Sequence, residues 1–73
     1  MADRIRVEIG FDGGQIMGGL VDADAVDRLE KALAAGEEGS LPLDVEDGRY
    51  TVALRRIVYV KRFAREGRVG FGG

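Results

Sequence analysis

The chain has no cysteine, no histidine, no tryptophan and no asparagine among its 73 residues. Without cysteine there is no thiolate nucleophile, no disulfide and no zinc–thiolate site. Without histidine there is no imidazole, the commonest group for moving protons near neutral pH. Hydroxyl groups are confined to Ser40 and Thr51, with Tyr50 and Tyr59 behind them. These gaps exclude a nucleophile–base–acid triad and leave a non-catalytic protein with no metal and no cofactor as the expectation. Proline occurs once, at Pro42. No apolar run approaches the roughly 18 residues that cross a bilayer. The amino terminus passes from Met1-Ala2-Asp3-Arg4 straight into an alternating strand with no leader pattern, so a cytoplasmic protein without a membrane partner is expected.

Seventy-three residues make one small domain, expected over residues 1–66, with a Gly-rich tail over 67–73. A domain of this size buries only about 60% of the surface its unfolded chain exposes. With disulfides closed off and metals unsupported, self-association is the remaining route to extra stability. The net charge of −2 hides an asymmetry. Residues 1–48 hold 12 acidic and 4 basic side chains, whereas residues 49–73 hold 1 acidic and 7 basic. Such a division fits a polyanion-binding patch, or two halves that neutralise each other within the fold or across a self-assembly contact.

Residues 4–11 alternate, with Ile5, Val7, Ile9 and Phe11 on one face and Arg4, Arg6, Glu8 and Gly10 on the other. Asp12-Gly13-Gly14 reads as a hairpin turn into a second strand, Gln15 to Val21. Gly18-Gly19 inside that strand predicts a bulge, a bend or a close backbone approach. The glycines do not form a phosphate loop, because a strand separates them from the following helix. The spacing of Ala25, Val26, Leu29, Ala32 and Leu33 predicts a helix from Ala23 to Ala35, capped by Asp22 or Asp24 and stopped at Gly36. Asp24–Arg28 and Asp27–Lys31 are spaced for ion pairs along it. Leu41, Leu43 and Val45 form a third strand, and Pro42, which cannot donate to a ladder, makes it an edge strand or one whose pairing starts after Pro42. Asp47-Gly48 turns the chain into a fourth, Arg49 to Leu54, and Leu54-Arg55-Arg56-Ile57 is a tight or 3₁₀ turn into a fifth.

The fifth strand, Ile57 to Phe63, is apolar on both alternating faces, which predicts burial on both. One helix covers only part of such a sheet. Met17, Val21, Val58 and Val60 are therefore expected to form an exposed apolar patch for a partner. The fold class is α+β, mostly β: a ββαβββ antiparallel sheet or a small SH3-like barrel with one helix.

The run Val52-Ala53-Leu54-Arg55-Arg56-Ile57-Val58-Tyr59-Val60 resembles the end of Sm-like chains of the SH3-like class. There a fourth strand turns through a short charged step into a fifth that pairs with the next subunit. The resemblance covers about two thirds of the chain and implies ring assembly and RNA binding. It departs from the Sm-like pattern in having a helix where those chains have a third strand. The opening hairpin, the single helix and the terminal Gly72-Gly73 also resemble ubiquitin-like (β-grasp) sulfur carriers, which implies activation of the terminal carboxylate.

The expected function is a non-catalytic interaction or assembly module that self-associates through residues 57–63 or joins a larger complex, its partner being itself or another protein. One alternative is nucleic-acid binding through Arg55, Arg56, Lys61, Arg62, Arg65 and Arg68. The other is a carrier role for Gly72 and Gly73.

Overall fold

A computed structural model describes residues 3–63. Arg65, Arg68, Gly72, Gly73 and the expected domain boundary after residue 66 lie outside the described residues. The order is β1 (Arg4–Phe11), β2 (Ile16–Asp22), α1 (Ala23–Ala34), β3 (Ser40–Val45), β4 (Gly48–Ala53), one 3₁₀ turn (Leu54–Arg56) and β5 (Ile57–Arg62). The ββαβββ order of the sequence reading is present, and the protein is α+β with mostly strands. The strands form two antiparallel sheets, β2-β1-β5 and β3-β4, and their ladders do not run continuously around a closed barrel.

The alternation of β1 sends Val7 and Ile9 into the core, with Ile5 and Phe11 at its margin. The pairing of β1 with β2 sets Met17 opposite Ile9, Gly19 opposite Val7 and Val21 opposite Ile5. Because directly opposed residues share a face, Met17 and Val21 must point the same way as the apolar side of β1. They are 9% and 0% exposed, which corrects the expectation that both belong to an exposed patch. The reason is the second sheet and the 3₁₀ turn that follows it. Leu43, Val45, Val52 and Leu54 close over the face that one helix alone would have left open.

Helix α1 follows β2 with no loop. Its first turn gains a backbone bond, Ala23 N–H donating to the Asp3 carbonyl at 2.8 Å. Asp22 holds the cap position but makes no side-chain cap bond; it pairs instead with Arg4 at 3.5 Å. Ala25, Val26, Leu29 and Ala32 are buried. Gly36, at φ +70°, ends the helix: its N–H donates to Leu33 and that of Glu37 to Ala32, a Schellman motif. The helix leads from one sheet to the other, so it does not serve as a crossover between strands of one sheet.

The β3–β4 turn lies one residue earlier than the sequence suggests. Val45 pairs with Gly48, leaving Glu46 and Asp47 as the turn. That places the Glu46 side chain at β2, where Oε1 accepts the Leu20 N–H at 2.9 Å. Gly19 makes this approach possible, since a Cβ there would lie 3.0 Å from the same oxygen and 3.5 Å from Val45. The close approach at Gly19 is by the side chains of Glu46 and Val45, where the sequence had suggested a bulge, a bend or a passing backbone. The hydrogen bond it accepts from the Leu20 N–H holds the Glu46 carboxyl below the usual glutamate range.

In β5 the register slips. Gly10 faces Tyr59 but Phe11 faces Ile57, so Val58 is an extra residue, a β-bulge. The bulge changes the phase of the strand: Ile57 and Val60 both pack on the core, and Val58 is left 65% exposed. Val60 is therefore half-buried, a second correction to the patch expected from strict alternation.

Tyr59 lies over Gly10. A Cβ at Gly10 would fall 2.0 Å from the tyrosine Cε2, so only glycine leaves room for the ring. Gly10→Ala is expected to destabilise the protein by about 1–3 kcal/mol, the usual range for overpacking. In a Tyr59→Ala background the same change should cost much less, a coupling that urea denaturation of the double-mutant cycle measures. Equal cost in both backgrounds would contradict the packing described.

Lowering of the Glu46 pKa in the folded state means that its contribution is present above the unfolded value and lost as pH falls through the folded one. Glu46→Gln should accordingly flatten the dependence of melting temperature on pH below the ordinary glutamate value of about 4.3. An acid limb unchanged in Glu46→Gln would show that the bond to Leu20 contributes nothing.

Candidate interaction surfaces

The outer face of the three-stranded sheet follows from the same registers. Gly10 is flanked by Ile16 and Tyr59, Glu8 by Gly18 and Lys61, and Arg6 by Leu20 and, through the bond from Phe63 N–H to the Arg6 carbonyl, Phe63. Tyr59 Oη donates to Glu8 Oε2 at 2.6 Å. That hydrogen bond, followed by desolvation and the carboxylate charge, raises the tyrosine pKa above its ordinary value. Lys61 Nζ sits 4.5 Å from the centre of the Phe63 ring, a cation–π contact. Tyr59 and Phe63 remain partly exposed on this face, and Ile16 is 64% exposed.

The cations singled out by sequence are distributed, not gathered. Arg56 pairs with Asp12 at 3.2 Å, joining the 3₁₀ turn to the first hairpin. Arg62 shares a β1 pairing with Val7, so its side chain starts on the core side of the sheet and crosses to the helix. There its guanidinium meets Glu30 in a fork, at 3.0 and 2.9 Å, and Asp27 at 2.6 Å. The bonds to Glu30 and then Asp27 raise the Arg62 pKa further above its already high value. Asp27 is thereby committed to β5 and not to Lys31, the i,i+4 partner the helix offered. Arg55 lines an open depression of about 580 Å³ together with Arg56, Asp12, Glu38, Gly39 and Ala53, where acidic and basic groups balance. Arg56 and Arg62 thus tie the basic half of the chain to its acidic half. These groups are partly exposed, and solvent screens such pairs strongly, so they orient elements more than they stabilise them.

Of the four patch residues expected from sequence, Val58 alone is exposed; Met17 and Val21 are core and Val60 is half-buried. Sequence reasoning missed Ile16 and Tyr50, which flank a groove between β4 and the β1–β2 hairpin. The signal for Ile16 was available: fixing the Asp-Gly-Gly turn places it opposite Gly10, on the polar side of β1. Among the described residues, no three potential metal-ligating side chains converge, and no helix is long and apolar enough to cross a membrane.

No protein-family model matches the chain, and neither a curated protein nor a solved structure matches it.

Proposed function

We propose that the chain is a non-catalytic assembly module that pairs with a second copy of itself along β5, serving as a building block of a larger complex. The observation that carries this reading is Val58. It is a β-branched residue, 65% exposed, on a strand that has β1 on one side and no strand on the other among the described residues. The bond from Phe63 N–H to Arg6 fixes the alternation of the ladder, so the amides of Val60 and Arg62 point to the open side. Open edges are commonly guarded by charge. Here Arg62 is folded onto α1 and Lys61 onto Phe63, so neither guards the edge. A two-fold pairing of β5 with itself uses one patch on both chains, the commonest oligomer geometry, and would extend the sheet across both copies.

Val58→Asp should weaken self-association at least about tenfold, because it places an unpaired charge in the contact, while leaving the melting curve of the chain close to wild type. Light scattering across a concentration series measures this. A wild-type protein that stays strictly monomeric at high concentration would rule the reading out.

A further inference from the structure

The groove beside β4 has a volume of about 230 Å³. Residues 50–53 line one wall, and Phe11, Ile16 and Met17 the other. Successive residues of a strand point to opposite faces. A groove touched by all four residues 50–53 therefore runs along the edge of β4 and not over one of its faces. β3 occupies one edge, so the groove follows the other, which has no partner among the described residues.

The hairpin register says which backbone groups point there. In a two-residue hairpin the closing pair, here Val45 and Gly48, is hydrogen-bonded, and bonded pairs then alternate with unbonded ones. Leu43–Tyr50 and Leu41–Val52 are bonded pairs; Pro42–Thr51 is not. Pro42 thus sits where β4 requires no N–H from it, which is how a proline is accommodated in this strand. By the same alternation, the N–H and carbonyl of Thr51 point away from β3 and into the groove.

The groove is also chemically distinct. One third of the chain is charged, yet none of the groove's lining residues is. A polyanion has nothing to bind there, whereas an extended uncharged segment finds both a backbone edge and apolar walls.

We infer that this groove binds an extended, alternating apolar segment of a partner protein, added as a third strand to the β3-β4 sheet. Its outward bonds go to Thr51, and its alternate side chains rest against Phe11, Ile16 and Tyr50. The β5 strand of a second copy is a poor occupant. Tyr59 is bonded to Glu8, Arg62 to the helix, and Ile57 and Val60 pack in their own core. Only the Val58 side chain would be free to rest against the groove walls, whereas pairing β5 edge to edge leaves those side chains where they are.

The probe is a fluorescein-labelled heptapeptide of alternating valine and threonine with a terminal lysine, titrated against the full chain by anisotropy. Saturable binding with little salt dependence is expected. Thr51→Pro, on an open edge that tolerates proline, should weaken it roughly tenfold or more, since it removes a backbone hydrogen bond at the centre of the site. A second arm needs no variant. Methylating the amides along one edge of the peptide should abolish binding, and methylating those along the other edge should leave it intact. No binding at millimolar probe, unchanged affinity in a folded Thr51→Pro protein, or equal binding of both methylated peptides would overturn the proposal. So would a Thr51→Pro protein that loses self-association, because the occupant would then be a second copy.

Discussion

The central strand β1 is shared by two neighbours, and its pairing with β5 controls the rest of the structure. That ladder contains one residue too many on the β5 side. Placing the surplus at Val58 lets Ile57 and Val60 both reach the core, although their spacing does not suit a regular strand. Tyr59, next to the core-facing Val60 in the regular part of the ladder, points outward over Gly10, where its hydroxyl finds Glu8. Without the bulge, the alternation would be continuous and Ile57 and Val60 would fall on opposite faces of the sheet. The exposed valine is the geometric consequence of seating the other two.

The two sheets are joined by specific polar contacts laid over a shared apolar core. Glu46 reaches from the β3–β4 turn to the Leu20 amide through the space that Gly19 leaves. Arg62 holds α1 against the far end of β5, and Arg56 holds the 3₁₀ turn against the first hairpin. Each contact is modest in free energy, but together they decide how the elements meet. Arg56 and Arg62, two cations of the basic second half, thereby find acids of the first.

What was legible in the sequence was local. The order of elements, the 3₁₀ step at Leu54–Arg56 and the stop at Gly36 follow from short-range sterics and periodicity. The division into two sheets, the bulge at Val58 and the capture of Leu20 by Glu46 depend on residues far apart in the chain, and no window of sequence contains them. Met17 and Val21 were misplaced for this reason: their burial is supplied by β3 and β4, whose position over β2 is a tertiary fact. The candidate surface suffered in the same way. Val58 follows from a fifth strand that is apolar on both alternating faces, but Ile16 and Tyr50 become neighbours only when the first hairpin and β4 are brought side by side.

The proposed self-pairing rests on the edge of β5 that has no strand partner among the described residues, and amide exchange can read that edge one residue at a time. Hydrogen–deuterium exchange followed by NMR at rising protein concentration should show the amides of Val60 and Arg62 becoming protected together. The outward amide of Thr51 should stay unprotected over the same range. Exchange at Val60 and Arg62 that is independent of concentration, or protection that arises first along β4, would contradict pairing through β5.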